Sequence, residues 1–274
     1  MKSCLRVLLI LLTFATISQA QLGTSRTVLR GLSDAVAFDV SPAGEIFILE
    51  AGRNRVLKTS SDGLRLDSLG NRGGGDYQFD RPMGLDVTNG MKIYVADPSN
   101  RRIQSFDRRN QFLGAITHGS DRNLPFDPHK VRVNARGDVV AWVPSEGKFI
   151  RFGNQGRVDL EIGPVQRYGV GIVSDYMINN RHLFVLDGKA GRLHRFSVDG
   201  EYQQLLAGFT DAVGLAQHGE QLFVLTQRHI LVCNASGRIE SRFEIPVRQY
   251  VAIRIWGGEA YLLTSANLFA VRLP

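Results

Sequence analysis

Gly70-Asn71-Arg72-Gly73-Gly74-Gly75-Asp76-Tyr77-Gln78-Phe79-Asp80-Arg81-Pro82-Met83-Gly84-Leu85-Asp86-Val87 is followed by Lys92-Ile93-Tyr94-Val95-Ala96-Asp97 and by Asn100-Arg101-Arg102-Ile103-Gln104-Ser105-Phe106-Asp107. A glycine-rich turn leads into a short apolar run, an alternating run, a polar turn and a third run. These are strand signals, because apolar residues recur with a period of two and the breaks fall on Gly, Pro, Asn and Asp. The same order returns along the chain. Its second strands align as Ile46-Phe47-Ile48, Ile93-Tyr94-Val95, Val139-Val140-Ala141, Leu183-Phe184-Val185, Leu222-Phe223-Val224 and Ala260-Tyr261-Leu262. Their central residues lie 47, 46, 44, 39 and 38 positions apart. Asp62-Gly63, Arg109-Asn110, Gln155-Gly156, Asp199-Gly200 and Ser236-Gly237 share one phase, between third and fourth strands. Tight hairpins need the positive backbone angles such pairs tolerate. Six repeats of short strands predict an all-β, six-bladed propeller.

The sixth repeat lacks an outer strand: Tyr250 to Ile255, Glu259 to Thr264 and Asn267 to Leu273 exhaust the chain. An unpaired edge is a liability. The orphan β-prone run Arg26-Thr27-Val28-Leu29-Arg30 is the expected donor, pairing with Asn267–Leu273 and closing the ring. Residues 1–20 read as a secretory signal peptide, with Lys2 and Arg6, the apolar run Val7 to Ile17, and Ser18-Gln19-Ala20 before Gln21. Cys4 precedes the apolar run, which does not suit a lipoprotein cleavage box. The rest, 21–274, reads as one propeller domain with no second long apolar run. Export implies a periplasmic or extracellular address.

The formal charge is +7, and removing Lys2 and Arg6 leaves 7 − 2 = +5. Arginine dominates, with 27 Arg against 6 Lys, and no block of like charge occurs. Basic charge suits nucleic acid, anionic lipid or acidic glycan, and export favours the last two. The scattered positions read as a solvated, mixed-charge surface. The partner expected on the propeller mouth is a protein, a peptide or an acidic glycan, and not nucleic acid. Cys233, in Ile230-Leu231-Val232-Cys233, has no partner cysteine after leader removal and reads as a buried small hydrophobe.

The stretch from Gly70 to Asp107 resembles the NHL-repeat family. The resemblance rests on Asp76, Gln78 and Phe79, Pro82-x-Gly84-Leu85, Tyr94-Val95-Ala96-Asp97, and Asn100-x-Arg102-Ile103 with Phe106. Other copies match in part, through Asn54-Arg55-Val56, Gly171-Ile172, Asp187 with Arg192-Leu193, and Gly214-Leu215. It implies a six-bladed propeller and no single activity, since fold does not fix function.

Chemical motifs are sparse. Gly73-Gly74-Gly75 precedes no Lys-Ser/Thr and no helix, so it reads as a blade-to-blade loop and not a phosphate cradle. Asp97 and Asn100 suit the polar turn they occupy better than a metal. The histidines are His118, His129, His182, His194, His218 and His229. The amidating-lyase branch of the family holds zinc on histidines near the start of the inner strands. The corresponding positions here are Val36, Met83, His129, Val170, Val213 and Val251, which is not a three-ligand set. Gluconolactonase-like propellers use a central glutamate, and no inner strand here carries one. No metal or cofactor is expected, and no catalytic residue is assigned.

One inner-strand position is charged in several copies: Asp39, Asp86, Arg132, Val173, Ala216 and Arg254. Ring neighbours predict two interblade ion pairs, Asp86 with Arg132 and Asp39 with Arg254. The face carrying the loops into the inner strands should present Arg81, Met83, Asp127, His129, Arg167, Tyr168, Asp211, Arg248 and Tyr250, with Arg53, Arg101 and Lys189 nearby. Arginine and aromatic residues are enriched at binding hot spots. Arg81, Met83, His129, Arg167, Tyr168, Arg248 and Tyr250 are therefore the candidate binding residues. The reading is a monomeric, non-catalytic binding or scaffold module of a bacterial envelope. The alternative is a metal-dependent lyase or hydrolase at the channel mouth.

Overall fold

Short alternating runs separated by tight turns pair antiparallel with their neighbours, and each repeat becomes one four-stranded sheet. The structure, a computed structural model, describes residues 22–117, 126–153, 156–234, 236–246 and 248–274. The expected leader, His118 and Gln155 lie outside these residues.

Blade 1 runs Ala35–Val40, Ile46–Glu50, Arg55–Thr59 and Arg65–Leu69, from the inner strand outward. Blade 2 is Gly84–Asp86, Lys92–Asp97, Arg102–Asp107 and Phe112–Ile116. Blade 3 is Lys130–Val133, Val139–Val143, Lys148–Phe152 and Val158–Ile162. Blade 4 is Asp175–Ile178, His182–Asp187, Arg192–Ser197 and Tyr202–Ala207. Blade 5 is Ala212–His218, Gln221–Thr226, His229–Cys233 and Ile239–Glu244. Blade 6 takes Tyr250–Trp256, Glu259–Thr264 and Asn267–Arg272, and its outer strand is Ser25–Arg30.

The ring is thus closed by the N-terminal strand. Ser25 pairs with Val271 and Arg30 with Asn267, with an irregularity between Thr27 and Leu29. Val28 and Leu29 are buried against Tyr261 and Leu268, while Arg26 Nη2 reaches Glu259 Oε2 at 2.7 Å.

The second strands are the hydrophobic heart, because both their faces lie against neighbouring blades. Each interblade layer is one apolar cluster: Phe47 and Leu49 of blade 1 meet Leu85 and Val95 of blade 2. Val140 and Phe149 of blade 3 meet Tyr176 and Val185 of blade 4. A side chain of this size contributes about 1.5–3 kcal/mol when fully buried. Cys233 is buried in this core, and its thiol is pushed up to about 12, first by burial and then by Glu240. It is inert packing.

The glycine-rich loop before blade 2 is a seal between blades. Asn71–Arg72 pairs with Gln78–Phe79 in a short parallel bridge. Arg102 Nη2 donates to the carbonyls of Gly75 and Gln78, Asn100 Nδ2 to Gly73, and Gln104 Nε2 to Gln78, at 2.7–2.9 Å. Gly73, at φ +151°, takes a backbone angle that side-chain-bearing residues rarely adopt, and a Cβ there would displace the Gln78 amide, whose Oε1 would lie 2.2 Å away.

Blade 4 differs in phase from the sequence alignment. Met177 faces Phe184 as Asp39 faces Phe47, Arg132 faces Val140 and Arg254 faces Tyr261. The matched inner position is therefore Met177, not Val173, and Gly171-Ile172 precedes the strand. The loop into this blade carries a 3-10 turn, Val165–Tyr168.

Candidate functional site

Acidic residues at the ends of second strands serve the fold. Glu50 is fully buried, and its Oε1 accepts the Ser33 N–H at 2.8 Å while Arg53 and Arg55 bond the two oxygens at 2.5 and 2.6 Å. Burial alone would raise its pKa, but Arg55, the Ser33 N–H and Arg53 together hold it below the ordinary value. Asp97 repeats the device, accepting from Asp80 N–H, Asn100 and Arg102, and Asp187 accepts from Gly171 N–H. Asp97 and Asn100 are a clamp between the second turn and the loop leading into the blade.

The channel holds the charges of the inner strands in a near two-fold arrangement. Blades 3 and 6 stand opposite one another in the ring. Arg254 Nε donates to Asp39 Oδ1 of the next blade at 2.8 Å, and Arg132 Nη2 lies 3.3 Å from Asp175 Oδ1 of the next blade. Arg254 Nη1 also caps the carbonyls of Ile253 and Leu215, as Arg132 Nη1 caps those of Val131 and Leu85. Each guanidinium lies over an aromatic ring at equivalent positions, Phe38 at 5.8 Å and Tyr176 at 5.9 Å. The sequence pairing of Asp86 with Arg132 is corrected here. Arg132 points onward to Asp175, and Lys130 Nζ joins it at 3.5 Å. Burial pushes Asp175 up, but Lys130 and Arg132 outweigh it, so its pKa is lowered. Sequence alignment missed Asp175 because it lies two positions before the matched site, in a blade whose phase was shifted.

The mouth at the start of the inner strands gathers three of the seven candidates. Arg81, Met83 and His129 line one depression of about 380 Å³ with Asp34, Val36, Ala51, Pro98 and Ser99, spanning blades 1 to 3. Arg81 is held at φ +53°, with its N–H on Asn54 Oδ1 at 2.7 Å, which anchors it to the second turn of blade 1. Met83 is 40% exposed. His129 Nε2 is 3.7 Å from Asp127 Oδ2. Partial burial lowers the imidazole pKa, Asp127 opposes that, and Lys130 adds to it.

The other candidates lie elsewhere. Tyr250 is buried at 3% exposure and its hydroxyl donates to the Pro246 carbonyl, so it is a wall residue and not a docking group. Tyr168 stacks on Tyr202 at 5.0 Å and meets Phe196 edge-on. It packs the seam of blade 4 as Tyr77 packs on Phe106 and Phe112 in blade 2. Arg248 lies 4.1 Å over the Phe269 ring, and Arg167 is exposed beside Tyr168. Aromatic type alone could not separate a seam residue from a mouth residue. The residues sequence reading missed at the mouth, Asp34, Pro98 and Ser99, sit in turns that carried no chemical signal of their own.

No known family profile matches the chain. Among curated proteins, NHL repeat-containing protein 3 of Homo sapiens is 34% identical over 80 residues, covering 28% of this chain and 23% of the relative. Its Mus musculus counterpart is 32% identical over 80 residues with the same coverage. The match spans about a quarter of these relatives' length. The chain is a six-bladed β-propeller, and a stretch of 80 residues in it is similar to these NHL repeat-containing proteins. Solved structures share this fold. Virginiamycin B lyase from Staphylococcus aureus superimposes with a TM-score of 0.63 at 12% identity, over 88% of this chain and 80% of that one. A streptogramin B lyase gives 0.64 at 11% identity, over 92% of this chain and 98% of its own. A catalytically inactive form of the Staphylococcus aureus lyase with quinupristin gives 0.62 at 14%, over 88% and 80%. At such identities the likeness is one of fold.

Proposed function

We propose that this NHL-repeat propeller is an exported, non-catalytic binding module whose partner docks on the mouth bearing Arg81, Met83 and His129. One observation carries the reading: these three side chains from two blades converge on an open depression, while in the channel beneath Asp39 is paired with Arg254 and Asp175 with Arg132. Asp39 and Asp175 face three bases, Lys130, Arg132 and Arg254, with Asp86 beside them making no ion pair among the described residues, so the channel offers little net field for a charged ligand. The rim does. Arg81, Arg101, Arg167, Lys189, Arg228 and Arg248 are exposed along this face, which favours an acidic protein or peptide segment, or an acidic glycan.

The lyase reading draws on His129 beside Asp127. A zinc centre needs three convergent donors. The residues that start the six inner strands at this level are Val36, Met83, His129, Ser174, Val213 and Val251, and these do not fit one. Among the described residues, no group of three His, Cys, Asp or Glu side chains could hold a metal ion.

The test is cross-linked capture from envelope extract by wild-type protein and by a Met83→Asp variant, with identification of the bound species. Binding that is lost in the variant supports the mouth. Equal capture by both proteins, or stoichiometric zinc in the purified protein, sinks the reading.

A further inference from the structure

Thr88 stands between two carboxylates with one proton to give. Its Oγ1 lies 3.1 Å from Asp39 Oδ2 and 3.1 Å from Asp86 Oδ2. A threonine hydroxyl carries a single O–H. With both acids ionised, one of the two contacts would set lone pair against lone pair. The remaining bonds do not remove the conflict. Asp39 accepts from Val87 N–H at 2.8 Å and from Arg254 Nε at 2.8 Å. Asp86 accepts only from N–H groups besides, Thr88 N–H at 3.1 Å and Val133 N–H at 3.2 Å. Among the described residues, no lysine, arginine or histidine makes an ion pair with Asp86.

The near two-fold arrangement explains why Asp86 stands alone. Asp39 has Arg254, and Asp175 has both Arg132 and Lys130. Opposite blade 2 stands blade 5, which puts Ala216 at the matched position. In place of a counter-charge there is a cavity of about 310 Å³, lined by Asp39, Asp86, Thr88, Arg132, Ala216 and Arg254 among others. Asp86 is 1% exposed, so solvent cannot complete its shell, whereas Thr88 is exposed to the channel.

We propose that the channel stores one titratable proton on the Asp39–Thr88–Asp86 bridge, making the joint between blades 1 and 2 pH-dependent. Asp86 Oδ2–H donates to Thr88 Oγ1, and the Thr88 hydroxyl donates to the Asp39 carboxylate, which keeps Arg254. Every contact then has one donor and one acceptor. Loss of the proton leaves two carboxylates sharing one hydroxyl and weakens the joint. The charged groups that face Asp86 are Asp39 of blade 1, Arg132 of blade 3 and Arg254 of blade 6, with the Tyr94 and Tyr176 hydroxyls also in its field. Burial is the largest influence and Asp39 the next; both raise the Asp86 carboxyl, to about 7, against the lowering effects of Arg132, the Thr88 N–H and Arg254.

The sign follows from linkage. A carboxyl that holds its proton in the folded state beyond the unfolded pKa of about 3.9 makes the fold bind more protons than the unfolded chain. Stability from this group therefore falls as pH rises from about 4 to about 7 and stays level above. His129, His182 and His194, whose pKa values burial lowers, act in the opposite direction just below about 6.5, so the difference between two variants is the readout.

Two measurements decide. The Asp86 carboxyl carbon, followed by NMR in the wild-type protein, should titrate with a midpoint near 7. The melting temperature of Asp86→Asn relative to wild type should rise between about pH 5 and about pH 8. A midpoint in the ordinary range of about 4, or parallel melting curves, overturns the proposal. So does calcium that raises the wild-type melting temperature at high pH without affecting Asp86→Asn, since a metal ion would then occupy the proton's place. If Asp86→Asn does not fold, the wild-type titration decides alone.

Discussion

Arg254 joins the last blade to the first, and its surroundings say what it is worth. It is only partly buried, bonds Asp39 across the closing seam, and caps two carbonyls besides. A buried pair offsets its own desolvation at best, so the pair is expected to matter when one partner is removed. Arg254→Glu should destabilise by about 3 kcal/mol or more, and Asp39→Arg in the same chain should restore part of that. Urea unfolding of the two single variants and the double variant gives the coupling; a value near zero would show the contact to be incidental. Glu50 supports a second expectation. Its pKa is lowered in the fold, so its contribution is present above the unfolded value of about 4.3 and is lost as pH falls through the folded one. Glu50→Ala leaves the Ser33 N–H without its acceptor and the Arg53 and Arg55 guanidiniums without their counter-ion, and should cost about 3–5 kcal/mol at neutral pH. The gap from wild type should narrow in acid, measured by urea midpoints at neutral pH and at about pH 3.

At the scale of elements, the outer strand of blade 6 comes from the other end of the chain. Val28 and Leu29 bury their side chains there, and Arg26 adds a surface pair with Glu259. Removing residues 21–30 exposes the Asn267–Arg272 edge and uncovers Tyr261 and Leu268, so the melting temperature should fall by about 10 °C or more. An unchanged melting curve would mean that the ring closes without this strand. This closure was legible in the sequence because a blade one strand short and an orphan run state the same deficit from two ends. Strand order and turn phase were legible for the same reason, since each repeats. The channel was legible only where the repeats kept phase. Asp39 and Arg254 share one register position, so adjacency followed from the ring. Asp175 does not share it, and matching Gly171-Ile172 to Gly84-Leu85 set the register of blade 4 too early. Side-chain direction was not legible either. Tyr168 and Tyr250 read as exposed anchors by type and location, yet one fills a seam and the other donates to a backbone carbonyl inside the wall. A loop's sequence gives its place in the ring, whereas the packing beneath it decides which of its side chains are left outside.

At the scale of the whole molecule, the propeller ring separates three environments. The second strands and seams hold the apolar core, the channel holds a nearly balanced set of charges, and the excess positive charge is left to the surface. Arg81, Arg101 and Arg248 are exposed on the mouth face, and Arg81 and Arg101 both stand at left-handed turn positions, which holds them at fixed places on the rim. A partner drawn by that rim should be sensitive to salt. The screening length shortens from about 10 Å at 0.1 M to about 3 Å at 1 M, so capture should weaken across that range while the melting temperature holds. Replacing Arg81 and Arg101 by Glu should slow association at least tenfold, because the steering field is reversed at two of its fixed points. Met83→Asp should act mainly on dissociation, since it puts a charge where docking would bury an exposed apolar side chain. Surface-plasmon kinetics with the captured partner separates the two effects. If both sets of variants associate and dissociate as wild type does, the mouth is not the docking face. The exposed Leu64 and Leu66, just before and on the outer strand of blade 1, then become the next surface to alter.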